Sequence, residues 1–146
     1  MKKLSTISVL FSLLSLLSCK KELDRIPPTV VIDSPTEFAV IGVKDGVLVS
    51  GNASDDKNLE SLSIQLINYS SRVSAGQLKV FYPNDKNFSF RYFFDIKDTL
   101  LESGDYYFKV EANDGENVIA AFRDIKIQGS TRTKLNTVVA VGDENT

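Results

Sequence analysis

From Thr29 onward the chain sustains no 3.6-residue apolar period; short apolar runs alternate at period two and are cut by Gly, Asn, Asp and Pro. A helix needs an apolar stripe at helical spacing, whereas a strand half-buried in a sheet needs alternation, so the chain is predicted to be all-β. Strand A is placed at Thr29 to Asp33, A′ at Phe38 to Val43, B at Val47 to Ala53 and C at Ser61 to Asn68. Strand D follows at Gln77 to Tyr82, E at Phe88 to Ile96, F at Tyr106 to Ala112 and G at Val118 to Ile127. Asp45-Gly46 supplies a turn before B.

Alternation also assigns faces. Val47, Val49, Gly51 and Ala53 of B point one way, as do Leu62, Ile64 and Leu66 of C. Phe88, Phe90, Tyr92 and Phe94 of E, and Tyr106, Phe108, Val110 and Ala112 of F, complete the predicted core. In G the parity changes from Val118, Ala120 and Phe122 to Ile125 and Ile127, which predicts a β-bulge near Arg123-Asp124.

Upstream lies a different kind of segment. Lys2 and Lys3 precede an almost wholly apolar run, Leu4 to Leu17, the pattern of an export signal. The run is too short for the roughly 20 residues that a membrane-spanning helix needs. Leu16-Leu17-Ser18-Cys19 then resembles the lipobox of bacterial lipoproteins. That resemblance implies cleavage after residue 18, a lipidated Cys19, and anchoring by acyl chains that each contribute about 0.8 kcal/mol per buried CH₂. Cys19 is the one cysteine of the chain, so no partner within it can form a disulfide. No aspartate stands directly after it, which in such lipoproteins implies an outer-membrane destination, with the domain facing the periplasm or the cell surface. Residues 19–28 end in Pro27-Pro28 and read as an extended tether.

Loss of residues 1–18 removes two lysines and no acid, so the formal charge falls from −2 to −4. A mildly acidic surface argues against nucleic acid as a partner. The 128 remaining residues fit one domain with a real core.

Gly46-Val47-Leu48-Val49-Ser50-Gly51-Asn52-Ala53-Ser54-Asp55-Asp56, and later Gly104-Asp105-Tyr106-Tyr107-Phe108-Lys109-Val110-Glu111-Ala112-Asn113-Asp114-Gly115, resemble bacterial immunoglobulin-like and fibronectin type III-like domains. The resemblance covers about residues 28 to 128 and implies a seven-stranded antiparallel Ig-like β-sandwich, placed at 29–128. It also implies a tyrosine corner, with Tyr106 bonding backbone at the E to F crossing. The cysteine pair and core tryptophan of antibody domains are absent. Residues 129–146 read either as an extra edge strand or as the start of a further domain.

Histidine is absent, which removes Ser-His triads, Cys-His dyads and the commonest zinc ligand sets. Short loops build no cleft for paired carboxylates, so a non-catalytic protein is predicted. One constellation carries chemistry: acidic, amide-rich turns at Asn52 to Asn58, Asn84-Asp85 and Asn113 to Asn117, which share one pole in an Ig-like topology. Asp55, Asp56, Asp114 and Glu116 offer the hard oxygen ligands that calcium takes. The same residues are ordinary turn formers. Asp98-Thr99-Leu100 resembles an Asp-Thr-apolar acceptor of bacterial O-glycosylation, with Thr99 as the modified residue. The functional expectation is a membrane-anchored module binding glycan or envelope protein, with a structural spacer or accessory subunit as the alternative. Exposed aromatic rings would favour the first and bland polar faces the second.

Overall fold

The computed structural model describes residues 23–43, 45–96 and 101–129. Cys19, Thr99 and residues 130–146 lie outside these. The described residues hold eight strands: β1 (Thr29–Ser34), β2 (Ala39–Gly42), β3 (Val47–Leu59), β4 (Ser61–Asn68), β5 (Lys79–Phe81), β6 (Asp85–Phe94), β7 (Gly104–Asn113) and β8 (Val118–Gln128). No described residue is helical. Two sheets result, one ordered β1-β3-β6 and the other β2-β8-β7-β4-β5.

The sheets meet through the alternate side chains that the sequence pattern selects. Val49 of β3, Leu62, Ile64 and Leu66 of β4, and Phe108 and Val110 of β7 have no exposed surface, and Phe90 and Phe94 of β6 are buried against them. Each such side chain contributes about 1.5 to 3 kcal/mol on leaving water. Gly51 is set by this packing: a Cβ there would lie 2.0 Å from the Val31 carbonyl oxygen and 2.7 Å from Cζ of Phe90. The missing side chain lets β1 approach and gives the Phe90 ring its place. The Tyr106 hydroxyl donates to the Glu102 carbonyl at 3.0 Å, fixing the approach to β7.

Several expectations are corrected. There are eight strands rather than seven, and the pairing is not wholly antiparallel, because β2 runs parallel to β8. Strand B does not end at Ala53 but continues to Leu59, with its register broken between Ser54 and Leu59. The predicted bulge in strand G is absent: β8 stays in unbroken register with β7 from Asn113–Val118 to Gly104–Ile127. Parity is instead kept with Phe122 outside and Arg123 on the inward row, where its guanidinium escapes at the sheet edge to Glu37 and to the Ile32 carbonyl at 2.5 Å. The acid and carbonyl that its head reaches offset the burial of Arg123, whose Nε is buried without a partner among the described residues, and no extra residue is needed to turn the strand. Phe88 and Tyr92 are only half-buried, at the margin of the core where they meet Phe81 of β5.

Candidate functional site

Two regions collect chemistry. The first is the pole where β3 turns into β4 and β7 into β8. Glu60 N donates to Asn113 O at 2.8 Å and Asn84 N to Leu59 O at 3.0 Å, so the three predicted acidic turns do share this pole.

Asp55 sits in the broken stretch of β3, where its Oδ1 accepts the backbone N–H of Lys57 and of Asn58, each at 2.8 Å. Asp114 organises the β7–β8 turn, accepting from Glu116 N at 2.7 Å, Asn117 N at 2.5 Å and Asn117 Nδ2 at 2.9 Å. Gly115 adopts φ 95°, which the turn requires and a side chain would resist. Between these two acids lies one the sequence reading missed. Asp24, only 8% exposed, reaches in from the tether, and carboxylate oxygens of Asp24, Asp55 and Asp114 all lie within 4.8 Å of one another.

Asp24 is bound on several sides. Its Oδ2 pairs with Lys57 Nζ at 3.1 Å, its Oδ1 accepts Ile26 N at 3.1 Å, and its own N–H donates to Glu116 Oε2. The Ile26 N–H, outweighing desolvation and helped by Lys57, holds the Asp24 carboxyl below its usual range. Burial pushes Asp114 up, but the Asn117 and Glu116 donors overcome it and leave its carboxyl lowered as well. Lys57 is raised by its bond to Asp24. Asp55 Oδ2 is buried and has no hydrogen-bond partner among the described residues.

Of the four predicted ligands, then, Asp55 and Asp114 come together. Asp56 is exposed and Glu116 holds the tether backbone; neither belongs to the three-carboxylate group, whose third member is Asp24. Asn84 and Asp85 lie close by without joining it. The sequence carried no signal for Asp24, because no spacing rule links residue 24 to 114.

The second region is the outer face of the five-stranded sheet. Tyr107 of β7 and Phe122 of β8 point away from the core, with ring centroids 5.7 Å apart and planes at 66°. Tyr69, on the loop after β4, meets Tyr107 at 6.0 Å and 82°. Phe122 is 58% exposed and Tyr69 49%. The Arg72 guanidinium stands 4.7 Å from the Tyr69 ring centre and 5.9 Å from that of Tyr107. Contact with the Tyr107 side chain favours its charged form.

Local sequence builds this loop. Asn68 Oδ1 accepts the N–H groups of Ser70 at 3.0 Å and Ser71 at 2.9 Å, and Arg72 N donates back to Asn68 O at 3.0 Å. Arg72 consequently takes φ 59°. Across the sheet Phe38 takes φ 58°, its N–H donating to Asp124 O at 2.8 Å. Left-handed backbone is unusual for an arginine or phenylalanine and costs energy. Asn84 is the remaining non-glycine residue of this kind among those described.

Two adjoining clefts result, one of about 370 Å³ lined by Tyr69, Arg72, Tyr107, Phe122 and Asp124. The other, about 440 Å³, is lined by Phe38, Tyr69, Asp105, Tyr106, Asp124 and Lys126. They share Tyr69 and Asp124.

Solved structures share this fold. The chain is similar to OgpA from Akkermansia muciniphila in two crystal forms, with TM-scores of 0.54 and 0.51 at 13% and 12% identity. The likeness covers 75% and 73% of this chain, which spans 30% and 29% of the OgpA chain. An endo-β-1,4-mannanase from Thermotoga petrophila aligns at a TM-score of 0.45 and 13% identity, over 84% of this chain and 24% of that one. No protein-family model and no curated protein matches the chain.

Proposed function

We propose that this chain is an envelope lipoprotein, anchored at the outer membrane through a lipidated Cys19, whose Ig-like domain is a non-catalytic binding module for glycan or protein. The exposed aromatic face of β7, β8 and the Tyr69–Arg72 loop carries the binding half. Three rings and an arginine on one sheet face, with that arginine and the neighbouring Phe38 held in costly backbone, are more than a solvated spacer surface needs. The lipobox supports the anchor. The strand order, with β5 beside β4 and Tyr106 bonded to Glu102, supports an Ig-like or fibronectin type III-like domain.

Surface capture of isolated envelope polysaccharide and envelope protein by the full chain tests the binding half against the spacer alternative. Tyr107→Ala with Phe122→Ala is expected to keep the melting curve and lose capture. Equal capture by both proteins would assign the domain to a spacer or accessory role. Intact mass and detergent partitioning of the native protein and of Cys19→Ala test the anchor, and a freely partitioning, unmodified native protein would remove it.

The acidic pole supports a second reading, a calcium ion held by Asp24, Asp55 and Asp114. The buried, unpartnered Asp55 Oδ2 favours it. Calcium takes six to eight oxygens, so carbonyls or waters would complete the shell. Lys57 competes by placing its own charge against Asp24.

A further inference from the structure

We infer that the aromatic face receives the carboxylate-bearing sugar of a glycan chain, with Arg72 as its anchor; this rests on the binding-module reading and narrows its ligand. Arg72 is exposed, and no ion pair with a carboxylate forms to it among the described residues; its partners are the Tyr69 and Tyr107 rings. A guanidinium stacked on aromatics is oriented yet keeps N–H groups for a ligand, and its planar fork matches a carboxylate.

The rest of the face selects against other anions. Asp124 lines both clefts and Asp105 the second, where Lys126 lies 3.7 Å from the Asp105 carboxylate. With Asp105 offset by Lys126, one unpaired cation beside one acid gives a polyanion such as an acidic peptide little to hold. It suits a molecule with a single negative charge and several hydroxyl donors, which Asp124 can accept. The ring faces supply contact for the apolar C–H surface of a pyranose. Their planes, at 82° and 66°, form the walls of a notch rather than a level platform, so a chain end or bent unit fits and a flat, ribbon-like neutral polysaccharide does not. The second cleft, bordered by Phe38, then takes the adjoining sugar.

The left-handed backbone of Arg72 and Phe38 fits this assignment. Neither side chain adds to the core, since Arg72 is exposed and Phe38 is 61% exposed. Both stand at opposite ends of the paired clefts.

The full chain, purified in detergent, is applied to an array carrying uronic- and sialic-acid-terminated glycans beside the same glycans with the carboxyl reduced to an alcohol. Acidic members are expected to bind at least tenfold more tightly than their reduced counterparts. Arg72→Gln should remove that preference, Arg72→Lys should keep part of it, and Phe122→Ala should weaken every glycan alike, all with unchanged melting curves. Equal binding of acidic and reduced glycans, insensitive to Arg72→Gln but lost in Phe122→Ala, overturns the carboxylate anchor and leaves the binding module standing. Absence of any glycan binding overturns the inference as well. The envelope-protein arm described above then decides whether the module reading falls with it.

Discussion

The acidic pole and the aromatic face are both made of residues that belong at turns and edges, yet they use them in opposite ways. At the pole, polar groups are spent on the protein itself. Asp114 accepts three donors, Asp55 accepts two, and Asp24 joins Lys57, so most hydrogen-bonding capacity is satisfied internally. On the aromatic face the loops are held in left-handed backbone and their side chains left open. Internal satisfaction points to stability, and outward presentation at an energetic cost points to recognition. Substitutions at the pole should therefore change melting without touching binding, and substitutions on the face should do the reverse.

The core sets the scale for that contrast. Phe90→Ala, which empties the ring site over Gly51, is expected to cost about 3 to 5 kcal/mol in denaturant unfolding; a loss below about 1 kcal/mol would show that the β3–β6 packing is not what holds the sheets together. Next comes the pole. Asp114→Ala removes three hydrogen bonds to a partly exposed carboxylate and should cost about 1 to 2 kcal/mol, with ligand capture unchanged. A pole variant that abolished capture would break the comparison outright.

Acid sharpens it. Asp24 and Asp114 have carboxyls held below their ordinary value near 3.8, so the stability they contribute is complete above that value and is lost as pH falls through the depressed folded values. The acid limb of the melting profile should flatten in Asp114→Asn. Lys57 has the opposite sign: raised above 10.5, it contributes fully below that value and fades only in strong base.

Calcium decides between the two occupants of the pole. At ten times its Kd the ion adds about 1.4 kcal/mol, on the order of 5 °C for a domain of this size. The shift should vanish in Asp55→Asn. An unchanged melting temperature in millimolar calcium against chelator would leave Lys57 as the cation of this cluster. The smallest effect is expected at Phe38→Gly, where relief of left-handed backbone offsets the added freedom of the unfolded chain and stability moves by about 0.5 kcal/mol or less. A large loss there would mean that the Phe38 ring is a structural prop.

Much of the fold was legible because period-two alternation is a direct imprint of a half-buried sheet. The inward rows of β3, β4 and β7 follow it residue for residue from Val47 to Ala53, Leu62 to Leu66 and Tyr106 to Ala112. The failure at β8 is instructive. An outward phenylalanine and an inward arginine reverse the usual signs, and alternation alone reads the reversal as a bulge. Phe122 lies outside because it belongs to the aromatic face, and Arg123 lies inward because Glu37 waits at the edge. At the pole, Asp55 and Asp114 were foreseeable from turn composition and topology. Asp24 was not, since docking of a tether depends on long-range contacts that leave no local period. The Tyr69–Arg72 loop carried only a turn signal, and its functional content lies in a backbone angle invisible to sequence.

The docking of Asp24 has a mechanical consequence. If Cys19 carries the proposed lipid, a chain free as far as Pro28 could extend about 30 Å, whereas one held at Asp24 has four residues between the two, an extended length of at most about 14 Å. A pull on such an anchor would meet the Lys57 ion pair and the Glu116 bond before it reached β1. These act as strain relief on a cable. Only when they yield does the load pass to the Thr29–Ser34 rungs against β3, where a pull along the strand stresses all of them together rather than one after another.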